Sequence, residues 1–539
     1  MMTCEVRKGE TYADAAKRLG ILAMGVQRGG ETISLEEVPK EGDSASFILY
    51  SDSEGRRIYE RSLSYVLLMA CKEVIPNLRV RIENSTGAGF FAYTPDAPLP
   101  LMGRQVARIE KKMREIVAKN LPFTRVEMST EDARAMFTQN GETDKARLMK
   151  YRPSNEISLF RCGEMLAYFY GAMLPSTGYL KTFKLIPHFP GIEVLLPDPE
   201  DVMRVAKARD ERKLMQTYGE SVRWATILGC ENLSDLNELT ENGGIREFIR
   251  VNEALQEKKI AQIAEQFSAS RARLILISGP SSSGKTTFAN RLIVALRVLG
   301  FKPQKLSMDD YYLDRDKVSL GEDGKPDYER PDLLDVPLFN EQLESLLEGE
   351  EVKTPAFDFV TGKRSLCVTA RKIEQGQPII VEGIHALNRI FSASVPREQK
   401  FLIYVSALTT LNMDDHNRLH TSDMRLMRRL VRDAQFRGTP AKTTLSMWKS
   451  VRAGEEKYIF PYQESADVMF NSSLVYEVCA LKKCAYPALL AISEADPEYT
   501  LARRLVKFLN YVLEADVEDE IPLNSILREF VGGSCFYRR

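Results

Sequence analysis

The chain has 539 residues, more than one hydrophobic core usually organises, so several domains are expected. Hydrophobic residues make up 44% and charged residues 28%, an ordinary globular balance. The formal net charge of −1 excludes a global field that would draw the chain to nucleic acid or an anionic membrane, though a local basic patch stays open. The 8 cysteines, Cys4, Cys71, Cys162, Cys230, Cys367, Cys479, Cys484 and Cys535, have no CxxC spacing. That argues against a zinc cluster and for reduced thiols in a cytoplasmic enzyme. The opening MMTCEVRKGE lacks the apolar core of a signal peptide, and no run is long and apolar enough to span a membrane.

In chain order, residues 1–55 contain VRKGETYADAAKRL, a strand-like SASFILY and an acidic turn, KEGDS, which together read as a small α+β unit. Arg61 to Ile75 reads as a helix stopped by Pro76. IENSTGAGFFAY has the glycine and aromatic pattern of a hairpin, and Pro100 to Asn120 the spacing of another helix. The stretches DSEGRRIYERSLSYVLLMACKEVIP, ENSTGAGFFAY, MSTEDARAMFTQNGE and LPSTGYLKTFKL resemble the amino-terminal part of threonyl-tRNA synthetases. The resemblance implies a β-grasp-like TGS domain over 1–55 and an editing-like domain over 56–220. It also implies a departure. The family's HxxxH pair becomes Arg61 and Tyr65, and its later Cys and His align with Phe169 and Met173. With no general base or metal ligand left at those positions, hydrolytic editing is not expected. A scaffold, a substrate sensor or an RNA contact stays open.

Residues 221–270 read as a helical connector. FIRVNEALQEKKIAQIAEQF, Phe248 to Phe267, has helical apolar spacing that suits either packing or a coiled coil. Leu274 to Ile277 is then a continuous apolar run, as in a parallel strand covered on both faces. GPSSSGKT, Gly279 to Thr286, follows and satisfies GxxxxGK[ST]. Gly279 and Gly284 permit the tight path, and amides from Ser281, Ser282, Ser283 and on to Thr287 can face phosphate oxygens. A helix from Phe288 to Leu299 would aim its positive end at the same anion. Lys285 would meet the outer phosphates and the Thr286 hydroxyl would ligate Mg²⁺.

FKPQKLS reads as the next strand and places Asp309 and Asp310 at its carboxyl end, where a carboxylate can take a hydroxyl proton or simply solvate a turn. Pro378 to Val381 reads as a buried strand with Glu382 at its end, a second metal contact or a strand cap. SDMRLMRRLVRDAQFRG crowds Arg425, Arg428, Arg429, Arg432 and Arg437 onto one helical stretch. It reads either as a lid over transferred phosphate or as a solvated basic face.

Together with PDYERPDLLD and TPAFDFVTGKR, these motifs run in the order of the uridine kinase and phosphoribulokinase family, which residues 271–480 resemble. The resemblance implies an α/β P-loop kinase, a parallel sheet flanked by helices, using ATP and Mg²⁺. It implies Asp309 as base for a nucleoside 5′-hydroxyl, Tyr312 near the sugar and Glu329 on the ribose hydroxyls. Phe357 and Phe359 would line the base pocket, Glu382 the metal site, and Arg429, Arg432 and Arg437 the lid. Phe357 and Gly362 stand where uridine and cytidine kinases carry a Tyr and a His that read the pyrimidine, and Thr439 replaces a lid Arg. A kinase of another small alcohol, such as a phosphorylated sugar or a pantothenate-like acid, or a tRNA-binding regulator using ATP as a switch, stays open.

In the last segment, 481–539, Leu501 to Asp516 reads as an amphipathic helix and Ile521 to Phe530 as a further one, with packing between subunits of a homo-oligomer expected.

Overall fold

The computed structural model describes residues 2–3, 7, 9–39, 45–95, 101–315, 327–359, 361–374 and 376–537. The acidic turn KEGDS falls outside these residues.

The first unit is a four-stranded sheet in the order Met2–Thr3, Ala45–Leu49, Ala23–Arg28, Glu31–Ile33, with a helix Tyr12–Arg18 against it. Thr11 opens that helix with a reciprocal cap: its hydroxyl accepts from the Asp14 amide at 3.1 Å and the Asp14 carboxylate accepts from the Thr11 amide at 3.2 Å. Tyr12, Ala15, Val26 and Phe47 form the small core.

Helix α1, Ser53–Val74, begins eight residues before the expected Arg61, because the apolar stripe extends back through Ile58. It ends two residues short of Pro76. The predicted hairpin is present as Arg81–Thr86 and Gly89–Tyr93, and joins Gly191–Leu195 and Lys184–His188 in an antiparallel sheet. Gly89 is obligatory there, since a Cβ would lie 1.9 Å from the Val194 carbonyl oxygen. A helix Gly103–Ala118 covers this unit, and a second sheet, Thr124–Ser129, Glu156–Cys162, Met165–Ala167, adjoins it.

Helices Arg212–Ile227 and Leu233–Glu241 lead to α2, Ile245–Ala269. The coiled-coil alternative for this stretch is not taken. Phe248, Ile249, Ile260, Ile263 and Phe267 of α2 are buried within the chain, and the Phe267 ring lies 5.6 Å from that of Phe301 and 5.8 Å from that of Phe401.

The elements that follow are β1 (Leu274–Ser278), α3 (Lys285–Val298), β2 (Gln304–Ser307), β3 (Ile379–Glu382) and β4 (Lys400–Ser406). After them come α4 (Thr421–Phe436), α5 (Ala441–Tyr458), β5 (Val468–Asn471), α6 (Glu477–Leu490) and α7 (Tyr499–Leu509). The five strands form one parallel sheet in the order β2-β3-β1-β4-β5. The register aligns Ile277 with Glu382 and Glu382 with Ser307, so the carboxyl ends of β1, β3 and β2 finish side by side. An antiparallel hairpin, Val352–Asp358 with Lys363–Arg371, stands beside that edge.

Four expectations change here. Helix α3 starts at Lys285, three residues before Phe288, because the phosphate loop feeds straight into its first turn. Helix α4 is not a solvated basic face: Arg425 and Arg428 are 2% and 0% exposed. Arg425 pairs with Glu455 of α5, and Arg428 donates through Nε to Glu477 of α6 at 2.9 Å and through Nη2 to the Ser472 carbonyl at 2.9 Å. Acids on the neighbouring helices supply the anions such buried cations require. Finally, Ile521 to Phe530 does not form a helix. Only Arg528–Val531 is helical, because Ser525 turns to donate to Glu253 at 2.5 Å while Ile526, Leu527 and Phe530 sink into the core. Helix α7 likewise stops at Leu509, before the expected Asp516.

Candidate active site

The phosphate loop is built by backbone conformations that its sequence allows. Gly284 sits at φ +81° and Ser282 at φ +59°, and a Cβ on Gly279 would lie 1.9 Å from the Val405 carbonyl oxygen. Helix α4 braces the loop: Arg429 Nη1 donates to Ser281 Oγ at 2.7 Å and Arg425 Nε to the Ser281 carbonyl at 3.0 Å. The Ser281 amide donates to Glu455 at 3.1 Å. The Ser282 and Ser283 hydroxyls are buried and form no hydrogen bond among the described residues. Phosphate oxygens would satisfy such donors, so the loop fits a polyphosphate.

Lys285 is 9% exposed and donates to the Pro280 carbonyl at 3.1 Å. Burial lowers its pKa, opposed by the carboxylates of Glu382 and Asp309. Thr287 is fully buried. Its amide and hydroxyl donate to Glu529 Oε2 at 3.1 and 2.7 Å, and the Tyr537 hydroxyl lies 3.3 Å from its own. Ile526 packs on Gly284, its Cγ2 2.5 Å from where a Cβ would stand. The carboxy-terminal segment therefore rests on the phosphate loop, which no local pattern foretold.

Thr286 Oγ1 lies 3.4 Å from both Glu382 carboxylate oxygens, Ser307 Oγ 3.4 Å from one of them and Lys305 Nζ 3.6 Å from the same one. The Thr286 hydroxyl and Glu382 carboxylate are hard oxygen donors that suit Mg²⁺. Among the described residues no three His, Cys, Asp or Glu side chains cluster as metal ligands, so an ion here would take its remaining ligands from phosphate and water.

The two aspartates after β2 part company. Asp310 accepts the Phe357 amide at 3.4 Å and so ties the hairpin to the sheet. Asp309 stays in the company of Lys285, Glu382 and Arg437. Burial and the Glu382 charge push its pKa up to about 6, against the pull of Lys285 and Arg437. Beside it stand three rings: Tyr312 is 5.7 Å from Phe357 and 6.4 Å from Phe359, and those two are 5.2 Å apart. The Arg437 guanidinium sits 4.8 Å from the Phe359 ring centre. Glu329 is 7% exposed, with Oε2 lacking any hydrogen bond among the described residues. Burial and the nearby Glu455 raise its pKa to about 7, opposed by Arg429 and Lys285. Gly454 of α5 makes that approach feasible, since a Cβ there would lie 2.3 Å from Glu329 Cβ.

The expected lid arginines therefore divide. Arg429 holds the loop, Arg437 borders Asp309 and the rings, and Arg432 turns to Asp433 at 2.8 Å. Sequence reading missed Glu455, Gly454 and Glu529, which carry no motif. It also missed His385, buried against the Phe391 ring and held down to about pKa 4 by that burial. Gly362, at φ +69°, makes the hairpin turn, and its carbonyl accepts the Arg315 amide at 3.0 Å.

At the amino-terminal positions, the Tyr65 ring lies 5.4 Å from Phe169, Arg61 donates to the Ala172 carbonyl, and Met173 Sδ is 3.9 Å from Ser62 Oγ. A histidine does reach this place, from elsewhere in the chain: the His416 ring stacks on Phe169 at 6.2 Å.

Comparison with known proteins matches two portions of the chain to different proteins. Residues 274–478 match the family model of the Phosphoribulokinase / Uridine kinase family. A different portion is similar to threonine–tRNA ligases. That of Nitratidesulfovibrio vulgaris (strain DP4) is 31% identical over 190 residues, 34% of this chain and 29% of the ligase. That of Carboxydothermus hydrogenoformans is 31% identical over 230 residues, 38% of this chain and 36% of the ligase. The chain thus spans about a third of the length of these relatives. Among solved structures, a protein provisionally described as a fructose transport system kinase, from Silicibacter sp. TM1040, is 20% identical. The match covers 39% of this chain and 98% of that one, with a TM-score of 0.29. One provisionally described as a uridine kinase, from Bacillus stearothermophilus, is 20% identical over 40% of this chain and 98% of that one, TM-score 0.28. No helix among the described residues is long and apolar enough to cross a membrane.

Proposed function

Since the chain joins a kinase segment of the phosphoribulokinase and uridine kinase family to a threonine–tRNA ligase-like part, we propose that it transfers the γ-phosphoryl group of ATP to the 5′-hydroxyl of a nucleoside. The observation that carries this reading is the meeting of Lys285, Asp309 and Glu382 at three adjacent strand ends beside an aromatic pocket. Asp309 takes the proton of the acceptor hydroxyl as its oxygen bonds to phosphorus and the bond to the ADP oxygen breaks. Lys285 and Arg437 offset the charge that develops on the transferring group. Glu329, buried and with one carboxylate oxygen that has no hydrogen bond among the described residues, accepts from the sugar hydroxyls. Thr286 and Glu382 would hold Mg²⁺, which when bound neutralises phosphate charge.

A second reading keeps the reaction and changes the acceptor. Phe357, Phe359 and Tyr312 form a pocket richer in ring surface than in hydrogen-bonding groups, which discriminates weakly between bases and suits another small alcohol. ADP release from Mg-ATP, measured across a panel of nucleosides with ribulose 5-phosphate and pantothenate as outgroups, decides between them. Turnover with one nucleoside is expected. Turnover confined to an outgroup would transfer the assignment to that alcohol, and silence throughout would overturn the kinase reading.

Two further results are expected. With Asp309 as base at a pKa of about 6, only the carboxylate form works, so kcat/KM rises with pH up to about 6 and levels above it. A flat profile between pH 5 and about 7 would remove Asp309 from that role. Glu529 occupies the Thr287 amide and hydroxyl, which a bound phosphate at the helix start would also use. Glu529→Gln removes that competing charge and should lower the KM for ATP by about two- to fivefold, the scale of 0.3–1 kcal/mol per charge at a helix start. An unchanged KM would mean that the phosphates bind without engaging Thr287.

A further inference from the structure

A second cleft, of about 1490 Å³, lies between α1 and the segment 413–427, with α7 along its side. Its charges do not balance. Arg57 grips Asp423 with two bonds of 2.8 Å, Arg504 divides between Glu54 and Asp423 at 3.0 Å each, and Arg418 holds Glu60 at 2.7 Å. Arg61 stands among them with no carboxylate in ion-pair distance among the described residues. Its one hydrogen bond among the described residues goes to the neutral Ala172 carbonyl. Burial and the neighbouring Arg57 and Arg504 lower its pKa, opposed by Glu54 and Glu60, the mark of a guanidinium short of an anion. The same positive field reaches His420, which burial and Arg57, Arg418, Arg504 and Arg61 keep neutral.

Unused hydrogen-bonding capacity accompanies this charge. Arg504 Nε and His416 Nδ1 are buried and form no hydrogen bond among the described residues. His416 also lines the cleft, fixed by its stack on Phe169. An arginine cluster in which Arg61 has no carboxylate partner among the described residues, beside the unsatisfied Arg504 nitrogen, is what an anion with several acceptor oxygens would complete.

We propose that this cleft binds a small phosphate monoester, its phosphate held by Arg61 with Arg504 alongside. The site is separate from the phosphate loop, and the proposal does not rest on the acceptor assigned to the kinase. The cleft keeps the place of the synthetase-like editing residues but substitutes anion recognition for hydrolysis.

The test is equilibrium dialysis of the full chain carrying Lys285→Ala, which disables phosphate capture at the loop. The probes are uridine and adenosine monophosphates, ribose 5-phosphate and inorganic phosphate, with the unphosphorylated nucleosides as blanks. Saturable binding of at least one phosphate monoester, and of neither nucleoside, is expected. The nucleotide and sugar phosphate arms tell whether the rest of the ligand contributes. Adding Arg61→Gln should weaken binding at least tenfold, whereas Arg61→Lys, which keeps the charge but not the forked geometry, should weaken it less. Circular dichroism of both variants checks that the fold survives. Binding unchanged by Arg61→Gln in the folded protein, or no binding of any phosphate monoester, would overturn the proposal.

Discussion

Asparagine in place of Asp309 is expected to reduce turnover by about 10²- to 10⁴-fold, the range a positioned general base contributes. The substitution keeps volume and hydrogen-bonding atoms but cannot accept a proton at neutral pH. The structure adds a condition that separates this outcome from unfolding. Asp309 has its pKa raised from 3.8 to about 6, so folding favours its protonated form. The stability from that preference is present below about pH 4 and is lost as pH rises through about 6, leaving an ionised group that burdens the fold above it. Asp309→Asn should therefore melt no lower than the parent protein at pH 7 to 8 while losing activity. A variant that is inactive and also melts several degrees lower would point to a structural part for Asp309. A folded variant with parental turnover would remove it from the chemistry.

Alanine in place of Lys285 should cost about 10²- to 10³-fold in turnover, as losing one preorganised donor to developing charge does elsewhere. Lys285 is buried, its charge offset by Glu382 and Asp309 and its ammonium docked on the Pro280 carbonyl at 3.1 Å. Such a cation is costly to keep without phosphate to meet, so the fold gains little from it. Thermal stability without nucleotide should change little, and the stabilisation that added Mg-ATP gives the parent should shrink with the lost affinity. A variant that keeps turnover within a factor of about 3 would contradict the loop's assigned part.

The two variants differ in what they spare. Asp309→Asn should still bind ATP, because Lys285 and the loop amides remain, whereas Lys285→Ala should bind it weakly. Single-turnover assays at saturating nucleotide separate these cases.

Much of the kinase half was legible in the chain. The apolar run into GPSSSGKT predicts a buried strand, a glycine-framed turn and a helix, since all three are local and contiguous. The strand ends at Asp309 and Glu382 follow from the same alternation of apolar run and acid. Where reading failed, the cause was a partner far away in sequence. The arginines of α4 resemble a solvated face until Glu455 and Glu477 arrive from α5 and α6. Ile521 to Phe530 has helical spacing, but contacts with α4 and the core decide its backbone. The four altered synthetase-like positions look simply lost, until His416 enters the same place from the other half of the chain.

By itself, then, the sequence determined the phosphate loop, the parallel sheet beneath it and the acids at its edge, because each is written in neighbouring residues and a fixed period. Only the tertiary structure decided that Asp309 faces Lys285 and Glu382 while Asp310 turns to Phe357. It alone set Glu529 on Thr287 across 242 positions, and left Arg61 without a carboxylate partner among the described residues. Those outcomes depend on which charges meet after collapse, and no local period records the pairing of distant side chains.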